Sequence, residues 1–225
     1  MTDLPRIEYT LLDGEALTVA TVRRGEFETP VWIQSRWEEG EHACYVQKNG
    51  CGHCCAAMAA RLFGVRDVTP HSEYAHCLTL FGEPSLDRNE GHFLSPLGVA
   101  RSLRGFGVKA EAYGYEPNGQ AAATERILEA LRAGKLVVHE SFPLKKDNPF
   151  SPGAHYVLLF GLDPEGRVLV ANSSLRANPP VPGIQAVPTS AIADSLLPTG
   201  GIIGRKDGWG RAVGFGDNAG YVIVG

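Results

Sequence analysis

The segment Cys51-Gly52-His53-Cys54-Cys55-Ala56-Ala57-Met58-Ala59-Ala60-Arg61-Leu62-Phe63-Gly64 constrains the fold more than any other part of the chain. Its alanines favour helix and Gly64 is placed to stop one, so a helix is predicted over residues 51 to 63. Steps of three and four residues align Cys51, Cys54 or Cys55, Met58 and Leu62 on one stripe, while the four alanines keep the other faces thin. Such a helix belongs in the centre of a fold, with other layers wrapped around it. The chain has 225 residues, of which 44% are hydrophobic and 20% charged, enough to build those layers as one compact α+β domain over residues 1–225.

Residues 7 to 12 and 17 to 22 read as a hairpin about a turn at Asp13-Gly14, and residues 30 to 33 read as a third strand. Residues 1–40 are therefore an N-terminal strand extension, with the polar stretch 38–42 a loop leading to the cysteines. Further helices are predicted over 70–80, capped by Thr69, over 96–104, capped by Ser95, and over 124–134, with Ile127, Leu128 and Leu131 on its apolar face. Beyond them the pattern turns to strands at 136–139, 155–160, 168–172 and 221–224, with a turn at Asp163-Pro-Glu-Gly166. Helices lead and an antiparallel sheet follows, and residues 176–225 read as a loop-rich C-terminal part. No repeat or low-complexity linker divides the chain.

The formal charge of −4 comes without basic or acidic runs, which argues against a nucleic-acid footprint and a membrane-surface patch. Residues 1 to 6 lack the pattern of a signal peptide, and no apolar run approaches a membrane span, so a cytoplasmic location is expected. The five cysteines, at 44, 51, 54, 55 and 77, are an odd set, and reduced thiols are expected of them.

A thiol at a helix start is a candidate nucleophile, because the free amides and partial positive charge there favour thiolate. It also needs a base and an acceptor that orients that base. His155 opens one strand of a predicted hairpin and Asn172 closes the next, so antiparallel pairing would bring the two together. Cys54 is a rival nucleophile, since a Cys-Gly-x-Cys arrangement whose second cysteine attacks can be laid on Cys51-Gly-His-Cys54-Cys55, but Met58 and the helix stripe favour Cys51. Cys54 and Cys55 otherwise read as packing residues. The soft ligands Cys51, His53, Cys54 and Cys55, with Cys77, His71 and His76 in reserve, raise a structural zinc as a competing reading, but no second ligand pair follows Cys51-x-x-Cys54. His139 and Glu140 read as an edge-strand pair or as substrate contacts, and Asp207, Trp209, Asp217 and Asn218 as an exposed loop without an assigned role.

Four segments together resemble the bacteriocin-processing, double-glycine leader peptidases of the papain-like superfamily and their stand-alone relatives. These are Cys51-Gly52 through Met58, Leu62 and Gly64; the helix end Arg132-Ala-Gly134 feeding Val137-Val138; Gly153-Ala-His155-Tyr156 with its apolar strand; and Asp163-Pro-Glu-Gly166 through Asn172. The likeness spans roughly residues 45 to 175 and implies a papain-like catalytic core with the cysteine helix packed on the sheet. It implies that Cys51 attacks a carbonyl as one half of an ion pair with His155, that Asn172 orients the imidazole, and that Gln47 helps hold the oxyanion. Gln47 stands closer to the cysteine than the family glutamine does, and Asn49 is the alternative donor. A peptide or small amide is the implied substrate, and no cofactor is needed. Acyl transfer of the phytochelatin-synthase kind and a non-catalytic peptide-binding module remain open beside hydrolysis.

Overall fold

The computed structural model describes residues 6–11, 18–38, 40, 43–81, 95–114, 119–145, 147–175, 183–196 and 219–225. Strands β1 (Ile7–Leu11), β2 (Thr18–Arg24) and β3 (Phe27–Trp32) form an antiparallel sheet in that order. A single 3-10 turn, Gln34–Arg36, leads into four helices: α1 (Ala43–Asn49), α2 (Cys51–Leu62), α3 (Pro70–Phe81) and α4 (Pro96–Gly105). After β4 (Ala110–Gly114) and α5 (Gln120–Arg132) come β5 (Leu136–Ser141), β6 (His155–Leu162), β7 (Val168–Asn172), β8 (Gly183–Val187), α6 (Thr189–Ser195) and β9 (Ala219–Val224). The second sheet has the order β4-β9-β5-β6-β7-β8, and every neighbouring pair is antiparallel. The class is α+β.

Helix α2 is buried as its sequence requires: residues 52 to 60 and Leu62 are all inaccessible to solvent. It packs on β3 to one side and on β5 and β6 to the other, with α3 and α4 beside it. Its end is fixed by Gly64 at φ +87°, where Val65 N–H reaches back to the Ala60 carbonyl over 3.1 Å, a reversal that only glycine makes without strain. The six-stranded sheet has a core on each face because its residues alternate. Tyr156, Leu158 and Phe160 of β6 face α2, whereas Val157 and Leu159 meet Ile127 and Leu131 of α5. Each such side chain contributes about 1.5–3 kcal/mol on burial.

Several elements differ from the sequence expectation. Helix α1 has no capping signal and only seven residues, so its stability comes from tertiary contact, Val46 being wholly buried and Tyr45 packed on Tyr74 at 4.6 Å between ring centroids. Helix α5 starts at Gln120, four residues before Thr124. The Thr124 hydroxyl donates to the Gln120 carbonyl (2.7 Å) inside the helix and does not cap it. Strand β4 went unread, and residues 176–225 are not simply loops: β8 extends the sheet beside β7, α6 packs on α5, and β9 lies between β4 and β5. Strand β5 is interior, so His139 and Glu140 are not an edge pair. The Asp13-Gly14 turn and Asp207, Trp209, Asp217 and Asn218 lie outside the described residues.

Candidate active site

Cys51 is the first residue of α2, and α1 runs into it through Gly50. The Gly50 N–H donates to the Val46 carbonyl and the Cys54 N–H to the Gly50 carbonyl, both over 2.8 Å, so two helices meet with no spacer. A Cβ on residue 50 would stand 2.6 Å from Val46 Cγ1 and 2.9 Å from Val46 Cα, which leaves glycine as the residue that fits. The junction aims the thiol at the start of β6. The Tyr156 and Gly52 amides and its own N–H all point hydrogen at the Cys51 sulfur. Cys51 is partly exposed, while Cys54 and Cys55 are fully buried, and all three are free thiols.

His155 is the first residue of β6 and Asn172 the last of β7, and the register Leu158↔Ala171 brings those ends together. His155 Nε2 lies 2.9 Å from Asn172 Oδ1. The Asn172 Nδ2 donates to the Phe150 carbonyl (3.0 Å) and to Gln185 Oε1 (2.9 Å), and the Ser174 N–H donates to Asn172 Oδ1 (2.9 Å). With both amide protons committed to carbonyls, Oδ1 is the atom facing the imidazole, and His155 Nε2 carries the proton. Nδ1 is then the basic nitrogen. Gln185 in turn donates to the Pro149 carbonyl (2.9 Å), and Asn148 Oδ1 accepts from the Phe150 N–H (2.8 Å), so the 142–151 loop is tied to the same network.

Gln185 is the member of this network missed in the sequence. It lies on β8, which carries no strand signal beyond Ile184 and Val187, and its only clue is a buried-strand glutamine between them. Its geometry fixes which way the Asn172 amide turns.

The electrostatics depart from the expected ion pair. Burial pushes the Cys51 thiol up to about 11, against the pull of the Tyr156 and Gly52 amides, and the nearby Glu140 pushes the same way. Burial also lowers the His155 imidazole to about 4, partly opposed by its bond to Asn172. Both shifts favour the neutral forms, a thiol at Cys51 and an uncharged imidazole at His155. Desolvation outweighs the helix start. Glu140 is buried, held well above the usual carboxylate range by desolvation, and hydrogen-bonded to the Tyr156 hydroxyl.

Gln47 has a different partner from the one expected. Its side-chain N–H donates to the Trp37 carbonyl (2.6 Å), while its own backbone carbonyl accepts from Gln34 Nε2 (3.1 Å). Those bonds brace α1 against the 3-10 turn. Asn49, the alternative donor, is partly exposed at the last position of α1.

No known family profile matches the chain, and no curated protein matches it. Among solved structures it is similar to a double glycine motif protease from an AMS/PCAT transporter, crystallised in complex with the leader peptide. The identity is 18% and the TM-score 0.39, over 64% of this chain and 76% of that one.

The metal-ligating residues raised from sequence are divided by the structure. His53 and Cys77 come together with Glu73, a residue not foreseen, and the ligand atoms of these three buried side chains lie within 4.8 Å of one another. The Glu73 carboxylate accepts from the Ser102 hydroxyl (2.6 Å) and the Cys77 thiol (3.2 Å) on one oxygen, and pairs with His53 Nδ1 on the other. This network joins α2, α3 and α4. Both Glu73 oxygens are engaged by neighbouring side chains, so the cluster serves as a structural tie.

Proposed function

We propose that the chain is a papain-like thiol hydrolase that cleaves a peptide or small amide bond through Cys51, His155 and Asn172. The observation that carries this reading is the buried 2.9 Å bond between His155 Nε2 and Asn172 Oδ1, at a strand end whose next amide, that of Tyr156, points at the Cys51 sulfur. The thiol and imidazole start neutral, so the proton leaves Cys51 for His155 Nδ1 as the sulfur attacks the carbonyl carbon. Asn172 accepts from Nε2–H and stabilises the imidazolium that forms. The amides at the start of α2 are the oxyanion donors, because Gln47 is occupied by Trp37. His155 then protonates the departing amine, leaving a thioester on Cys51 that water hydrolyses with His155 as base.

A screen of peptides ending in, or cleaved after, paired glycines tests the reading. Hydrolysis is expected from the wild-type chain and is lost in Cys51→Ala and His155→Ala. Equal hydrolysis by Cys51→Ala, or by His155→Ala, contradicts it.

A further inference from the structure

Cys51 and Cys54 occupy the first and fourth positions of α2, one partly exposed and the other fully buried. We propose that this pair closes into a reversible disulfide when the protein meets a small-molecule disulfide such as glutathione disulfide, and that closure masks the nucleophile. Residues three apart on a helix have Cβ atoms about 5–6 Å apart, and a disulfide needs about 3.5–4.5 Å, so closure asks for a small local adjustment. The first turn can supply it. It begins at a junction between two helices, and the residue before Cys51 is the glycine joining α1 to α2. The bond from Cys54 N–H to the Gly50 carbonyl (2.8 Å) keeps the second cysteine under the first while Cys51 turns.

Exposure sets the order of events. Cys51, the least buried of the three, gives up its proton and attacks one sulfur of glutathione disulfide, forming a mixed disulfide and releasing one glutathione thiolate. Cys54 then loses its proton and attacks the Cys51 sulfur, expelling the second glutathione. Two thiols and one glutathione disulfide become one protein disulfide and two glutathione thiols, with two electrons passed to glutathione. Cys55, also buried, stands four positions from Cys51 on the same side of the helix and is the competing partner, one residue further into the helix. The sulfurs of Cys51, Cys54 and Cys55 are close enough to influence one another's ionisation, as the pairing requires. The disulfide itself uses thiol placement alone; that it masks a nucleophile rests on the hydrolase reading.

The test incubates the reduced full chain with excess glutathione disulfide at mildly alkaline pH, alkylates the remaining thiols with iodoacetamide, and maps the tryptic fragment 49–61, which holds all three cysteines. The expected fragment is two hydrogens lighter than its reduced form and carries one alkyl group, placed on Cys55 by fragment ions. Reductant restores three alkyl groups. The same disulfide, without an alkyl group, is expected from Cys55→Ser and no disulfide from Cys54→Ser, and the wild-type fragment ions decide the pairing if either variant fails to fold. An alkyl group on Cys54 with Cys51 and Cys55 joined overturns the proposal, as does a stable glutathione adduct on Cys51 or three alkylated cysteines after oxidation.

Discussion

At the scale of single residues, the site depends on which form of each group is populated, and that is set by water exclusion and by hydrogen bonds to neighbours. With its thiol near 11, Cys51 should be alkylated by iodoacetamide at a rate that climbs about tenfold per pH unit across the neutral range. A plateau below neutrality, the signature of a preformed thiolate, would contradict the neutral pair. Gln185 orients Asn172 by accepting one amide proton and anchoring itself on the Pro149 carbonyl. Gln185→Leu leaves an Asn172 donor without its acceptor and is expected to lower stability by about 1–3 kcal/mol and activity by about 10–100-fold, read from chemical denaturation and peptide hydrolysis. Unchanged activity would mean that the Phe150 carbonyl alone holds the amide. His155 and Asn172 were legible in the sequence because strand ends in a hairpin meet by simple counting. Gln185 and the true partner of Gln47 were not, because both depend on which distant carbonyl happens to be near.

At the scale of elements, the decisive piece is α2 and what ties it in place. Its composition announced a central helix, and the alternation of β6 and β7 announced the sheet beneath. Helix α1, strand β4 and α6 carried little signal of their own, since short elements are held mainly by what they pack against. The buried contact of Glu73 with His53, Cys77 and Ser102 binds three helices and likewise has no local sequence signature. Glu73→Ala strips the acceptor from all three and is expected to cost about 3–5 kcal/mol of stability, measured by urea unfolding. A loss below about 1 kcal/mol would show that the network is not what holds α3 and α4 to α2. Gly50→Ala probes the α1–α2 junction, where a Cβ would stand 2.9 Å from Val46 Cα. Lower stability together with slower labelling of Cys51 is expected.

At the scale of the whole molecule, the two-core α+β arrangement buries titratable groups whose protonation is coupled to folding. His139 is fully buried and pushed down to about 3, and His155 down to about 4, so both stay neutral when folded but take up protons when unfolded. Lowered histidines of this kind leave stability intact above about pH 6.5 and erode it as pH falls from there towards the folded values. Glu140 acts oppositely, since its raised carboxyl favours the folded state as pH falls. In Glu140→Gln, which removes that opposing contribution, each histidine is expected to cost about 2 kcal/mol between pH 7 and pH 5, read from denaturation midpoints. A flat stability profile over that range would contradict the burial of both imidazoles. Among the described residues no helix is long and apolar enough to cross a membrane. The central claim is that Cys51 forms an acyl intermediate with help from His155 and Asn172, and acid-quenched mass spectrometry after mixing with p-nitrophenyl acetate tests it most directly. The predicted result is one acetyl group on Cys51, formed more slowly in Asn172→Ala and hardly at all in His155→Ala; acetylation of Cys54, or acetylation of Cys51 unaffected by removing His155, would contradict the account.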